Sequence, residues 1–206
     1  MSDPAPHDGG DCGVWLLWIP LGAGAAIPLV RWNGRAYERF MAWRDRRQPE
    51  DLYHAALEVT TSTGRFVIEM TPAWGDAHHP EGAVASGPVG LHLLGRSRLF
   101  RYEVHCWRDG VIPDRAHAVG GPARLSGDER VARRVRELAP SFPTGVWGRD
   151  PGATGDMWNS NSLVAWLLTR AGISAATLSP PQRGRAPGWT AGVLVARREA
   201  GPRPPG

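Results

Sequence analysis

No lysine occurs in this chain; its 24 Lys+Arg positions are all arginine. Beside abundant Ala, Gly, Pro and Trp, that bias reads as genome composition before it reads as function. A net charge of +4 would suit an anionic partner, but nucleic-acid binders gather their basic residues on one element or face. Here Arg44, Arg46 and Arg47 surround Asp45, and Arg130 to Arg136 alternate with apolar residues at helical spacing. Solvated helix faces are expected from that pattern, and nucleic acid is not an expected partner. Cysteine is scarce: Cys12 and Cys106 make neither a disulfide framework nor a metal cluster, so no redox compartment and no metal follow from them. The chain also lacks a P-loop, a dinucleotide-binding glycine fingerprint and a Gly-x-Ser-x-Gly elbow, which removes the sequence grounds for those chemistries.

Long uninterrupted apolar runs are missing as well. Gly13 to Val30 is long enough to span a bilayer, but Pro20, Gly22, Gly24 and Pro28 fall within it. A buried strand from Val14 to Leu21 followed by a glycine loop is the expected form. The first residues, MSDPAPHDGGDCG, carry three aspartates and no Lys or Arg, unlike a secretory signal. The expected location is therefore cytoplasmic, with peripheral membrane association as the alternative. At 206 residues and 42% hydrophobic content, the chain can build one real core. A single domain is expected over 13–199, between a disordered N-terminus (1–12) and a disordered tail (200–206, AGPRPPG).

The patterning predicts an α+β domain, with an antiparallel sheet packed on a buried helix. Asn33 to Arg47 has helical periodicity ending before Pro49. "YHAALEV" and "RFVIEM", joined by "TTSTG", predict a hairpin. "RLFRYEVHCW" predicts a strand with Phe100, Tyr102, Val104 and Cys106 on one face. Residues 127 to 139 predict an amphipathic helix entered through a Ser126 to Glu129 capping box. Residues 160 to 171 are apolar nearly all round, with Gly172 suited to the C-terminal cap, so this helix is expected to be central. "AGVLVARR" predicts a last strand.

The start of that central helix, "WNSNS", carries four polar residues in a row, Asn159, Ser160, Asn161 and Ser162. Ser and Asn are preferred N-caps, which accounts for them structurally. A hydroxyl at the positive end of a buried helix is also placed to react, provided a base lies near. His54, opening the strand "HAALEV", supplies a candidate base, and Glu69, ending the next strand in "FVIEMTP", a candidate partner for it. Alone, Glu69 reads as a strand-end carboxylate or an ion-pair partner of Arg65.

Taken together, "HAALEVTTSTGRFVIEMTPA" and "NSNSLV" resemble the His-strand hairpin and the later nucleophile helix of the circularly permuted papain-like proteins: lecithin:retinol acyltransferase, its phospholipase/acyltransferase relatives and the permuted NlpC-type hydrolases. In that group a His opens one strand, a second polar residue ends the next, and a Cys stands much later at the start of a buried helix, often as Asn-Cys-x-x-Phe-Val. The resemblance runs over residues 52 to 172 and departs at one position, where Ser160 replaces the Cys. It implies a permuted papain-like fold and a bacterial acyl hydrolase or acyltransferase acting on an ester, thioester or amide in a small molecule, lipid or peptide. The implied catalytic residues are Ser160, His54 and Glu69, and no cofactor is called for. Asn159, Asn161 and Ser162 are the candidate oxyanion or auxiliary groups, with Ser162 an alternative nucleophile. Serine is harder to deprotonate than cysteine, so a catalytically inactive binding protein that keeps the cleft is the competing expectation.

Other polar residues are weaker candidates. His78 and His79, near Asp76 and Glu81, lack regular ligand spacing and are expected in a polar loop. His105 shares a strand face with Glu103 and is a candidate further member of the site. Arg183, Arg185 and Trp189 in "RGRAPGW" are candidate cleft residues, although a surface turn with a packed Trp fits the same pattern.

Overall fold

In a computed structural model, residues 11–23, 38–39, 42–44, 46–73 and 82–201 are described. They form strands β1 (Gly13–Pro20), β2 (Tyr53–Thr61), β3 (Gly64–Pro72), β4 (Ala83–Pro88), β5 (Arg101–Arg108) and β6 (Ala123–Ser126), and helices α1 (Glu129–Leu138), α2 (Ser160–Arg170) and α3 (Trp189–Ala200). The six strands make one sheet in the order β4-β5-β3-β2-β1-β6, with every neighbouring pair antiparallel. The fold is thus α+β, as the patterning predicts. Among the described residues, no helix is long and apolar enough to cross a membrane. The run from Val14 is a strand, and the predicted loop beyond Gly24 lies outside the described residues. The same holds for most of the first predicted helix, where residues 38–39 and 42–44 are helical.

The two faces of the sheet are built differently. Side chains on a strand alternate, so Tyr53, Ala55, Leu57 and Val59 point one way and His54, Ala56 and Glu58 the other. The first set joins Val14, Leu16, Trp18, Ile68, Met70, Tyr102 and Val104 in the main core, against which all three helices pack. We call this the front face. On the back face Leu17, Ile19, Ala56 and Val67 pack with Ile112 in a smaller cluster under the segment between β5 and β6.

Three local readings are corrected: the strand in "RLFRYEVHCW" begins only at Arg101, and Arg98 to Phe100 form a tight turn ahead of it with Phe100 exposed. "AGVLVARR" is part of α3, a helix opened by Gly188, whose φ of 92° suits a residue without a Cβ. Its small residues fit against α2: a Cβ added at Gly192 would lie 2.3 Å from the Ser162 carbonyl oxygen. In α1 the cap is Asp128, whose side chain accepts from the Arg130 N–H. The Ser126 hydroxyl instead accepts from the Asp128 N–H at 3.1 Å, and Glu129 reaches out to Ser62. An acidic cap one residue from the helix displaces the serine because its carboxylate meets the same orphan donors with a full charge.

Candidate active site

α2 is buried through nine consecutive residues, Ser160 to Leu168. Its N-terminal N–H groups are therefore poorly reached by water, and those of Asn161 and Ser162 are met by a side chain. Asn159 is the cap: its Oδ1 accepts from the N–H of Asn161 at 2.9 Å and of Ser162 at 3.3 Å, while the Ser162 hydroxyl accepts from the Asn159 N–H at 3.1 Å. The Ser162 hydroxyl also stands 3.1 Å from the Met157 carbonyl oxygen and 2.8 Å from that of Gly188, and the residue is fully buried. Asn159 Nδ2 donates to the Pro187 carbonyl at 2.8 Å.

Asn161 does something different. β2 and β3 pair from Thr61↔Gly64 as far as Leu57↔Ile68, and the paired ladder stops there although both strands continue. The edge of β2 released by this split is completed from elsewhere. The Tyr53 N–H donates to the Arg185 carbonyl at 2.8 Å, the Ala55 N–H donates to Asn161 Oδ1 at 2.8 Å, and Asn161 Nδ2 donates back to the Tyr53 carbonyl at 3.0 Å. One side-chain amide, with its acceptor and donor side by side, thereby stands in for a strand residue. Asn161 Nδ2 also reaches the Pro187 carbonyl at 2.9 Å.

These bonds engage Asn159, Asn161 and Ser162, but neither the hydroxyl nor the N–H of Ser160 takes part in them. The amides of Asn159 and Asn161 are already committed to backbone carbonyls, which argues against their expected role as oxyanion donors. The caps likewise hold Ser162 as a structural residue. Ser160 itself precedes Asn161, and His54 precedes Ala55, so the 2.8 Å bond between those neighbours brings both to one corner of the molecule. No hydrogen bond joins Ser160 to His54 among the described residues.

His54 lies on the back face at the start of β2. Burial lowers its pKa to about 4, so it is neutral at neutral pH. Glu69, on the same face of β3, is 6% exposed, and its Oε1 has no hydrogen-bond partner among the described residues. Burial first, and the Asp114 carboxylate second, push its pKa up to about 7. Opposite Glu69 in the ladder stands His105, wholly buried, with Nε2 3.5 Å from Glu103 and its ring stacked on Trp107 at 4.7 Å. The back face therefore brings His54, Glu69, Glu103 and His105 onto one surface, with Ser160 approaching from the front at the split. Arg65 pairs with Glu58 at 2.9 Å rather than with Glu69.

The candidate cleft residues separate. Trp189 is a core residue, its ring 4.8 Å from that of Trp18 and its N–H donating to the Ala175 carbonyl at 2.9 Å. Arg185 is held by Glu38 at 3.3 Å and Glu50 at 3.8 Å, and lines a pocket of about 730 Å³ with Asp150, Thr154, Asp156 and Thr190. That pocket adjoins the cap through Met157 and Pro187, yet Ser160, His54 and Glu69 are not among its lining residues. The His78-His79 loop lies outside the described residues, and among the described ones no group of three His, Cys, Asp or Glu is arranged to hold a metal. Asp114 escapes sequence reasoning because the segment that carries it has no periodicity; its only signal is a carboxylate beside the basic Arg115. Compared with protein-family models, with curated proteins and with solved structures, the chain matches none of them.

Proposed function

We propose that this protein is a permuted papain-like acyl hydrolase or acyltransferase with Ser160 as its nucleophile, acting on an ester, thioester or amide. The observation that carries this reading is the selective cap of α2. Every other polar side chain at the helix start is tied into the fold, while the Ser160 hydroxyl and N–H stand at the positive helix end outside those bonds. In this reading Ser160 Oγ attacks the acyl carbon as its proton passes to His54, and the carbonyl oxygen becomes an oxyanion met by the Ser160 N–H. His54 then returns the proton to the leaving group, and water or a second nucleophile releases the acyl chain by the same route. His54 is neutral at neutral pH, the form a base needs, and its basicity would have to come from a carboxylate that favours the imidazolium. Ionised Glu69 would stabilise the imidazolium.

The absence of a hydrogen bond between Ser160 and His54 favours a second reading, a binding protein that keeps the cleft without the chemistry. A fluorophosphonate probe separates the two. Covalent labelling of wild type, its loss in Ser160→Ala and a rate roughly 100-fold lower in His54→Ala are the results expected of the enzyme. Wild type labelling no faster than Ser160→Ala would leave the binding protein.

A further inference from the structure

Between β4 and β5 the chain makes an excursion, residues 89 to 100, with sequence VGLHLLGRSRLF. Its base is pinched by the Val89 N–H donating to the Phe100 carbonyl at 2.8 Å. Inside, three successive turns close through Leu94 to Leu91, Ser97 to Leu94 and Phe100 to Ser97, at 2.9 to 3.1 Å. The loop is thus ordered by its own backbone, and a short compact loop of this kind projects from the body it closes on.

What it projects is apolar. Leu93 is 77% exposed, Leu99 65% and Leu91 53%, with Phe100 and Leu94 also exposed. Five large apolar side chains within ten residues are far denser than the scattered exposed leucines of an ordinary surface. Arg96, Arg98 and Arg101 stand among them, and no Asp or Glu occurs from Leu91 to Tyr102. The base adds another cation, since Arg149 Nε donates to the Gly90 carbonyl at 3.0 Å.

We propose that this loop is an interfacial anchor that seats the protein on an anionic lipid bilayer. Leu93 and Leu99 enter the boundary between headgroups and acyl chains, and Arg96 meets lipid phosphate. Apolar side chains flanked by cations are what such an interface takes up, through buried area and attraction to negative headgroups together. Charge decides against the nearest competitor: a symmetric pairing of two copies would lay the loop on itself and set arginine against arginine. Neither Ser160 nor the acyl chemistry enters this inference.

Co-sedimentation with phosphatidylcholine vesicles, with and without phosphatidylglycerol, tests it on the full chain. Wild type should pellet with the anionic vesicles and be released by salt. Leu93→Glu with Leu99→Glu should bind roughly tenfold more weakly or not at all, and Arg96→Glu should lose several-fold on anionic vesicles only. Because these side chains are exposed, unchanged circular dichroism and melting are expected of each variant. Failure of wild type to bind anionic vesicles overturns the proposal, as does binding indifferent to the leucine pair. So does a lipid-free dimer in sedimentation velocity that the leucine variant dissociates, which would assign the loop to a second copy.

Discussion

Asn161 and Ser160 are adjacent and equally polar, but their losses should differ sharply. Asn161→Ala strands the Ala55 N–H and the Tyr53 carbonyl at a buried strand edge, which should cost roughly 2–4 kcal/mol. Ser160→Ala removes a hydroxyl outside the cap bonds and should cost less than about 1 kcal/mol. Urea unfolding of both variants measures the contrast, and equal losses would mean that Ser160 is structural too. Titration on the back face is a second residue-level matter. Folded Glu69 keeps its proton up to about 7, whereas in the unfolded chain it would be released near 4.5, so its contribution to stability falls as pH rises through that window. Folded His54 stays unprotonated down to about 4, whereas unfolded it would gain a proton near 6.5, so its contribution rises with pH over nearly the same window. The two slopes oppose each other in wild type. Stability of Glu69→Gln should therefore climb more steeply than wild type between pH 4.5 and 6.5, and that of His54→Gln should fall relative to it. Parallel stability curves for all three proteins would exclude both buried titrations. The sequence marks Asn161, Ser160, His54 and Glu69 as candidates. It does not reveal that Asn161 completes β2, because a side chain replacing a strand partner depends on contacts across more than 100 residues.

At the scale of elements, α1 is legible because its period of 3.6 agrees with its burial, α2 because a continuous apolar run behind a polar cap marks a central helix, and the hairpin because two β-forming runs flank a turn signal; the short strands β4 and β6 carry no such signal. α3 is not legible either, since a short run such as "AGVLVA" has strong β-formers and no long polar face to show helical period. Its helical state follows from packing: Gly192 lets it lie directly against the Ser162 carbonyl and Ala165 of α2. That contact can be tested through the sign of one substitution. On propensity alone, Gly192→Ala in a helix should stabilise by about 1 kcal/mol. The added Cβ would fall 2.3 Å from the Ser162 carbonyl oxygen and 2.9 Å from Ala165 Cβ, so overpacking of about 1–3 kcal/mol should outweigh the gain. A lowered melting temperature is expected; a raised one would show that α2 and α3 can part far enough to take the added methyl.

Among the described residues the sheet carries its helices on the front and the segment between β5 and β6 on the back, and that segment is fastened electrostatically. The segment between β5 and β6 buries only Ile112 fully among the back-face apolar residues, so burial alone holds it weakly. Arg115, from this segment, reaches Glu58 on β2 with Nε 2.6 Å from Oε1. Burial opposes the charge on Glu58, but hydrogen bonds from Arg115 and Arg65 outweigh it and keep the pKa below the ordinary carboxylate range. Removing Arg115 leaves a buried carboxylate with one guanidinium in place of two, at a cost of about 1–3 kcal/mol. The loss should be local, because the segment has few other attachments beyond the Val119 N–H bonded to the Trp18 carbonyl at 2.9 Å. In Arg115→Ala the amides of Arg115, His117, Ala118 and Val119 should exchange with solvent faster, while those inside α2, closed in the front core, keep their protection. Native-state hydrogen exchange resolves the two sets, and equal acceleration in α2 would mean that the two faces unfold as one unit, with the Arg115–Glu58 pair supporting the entire sheet.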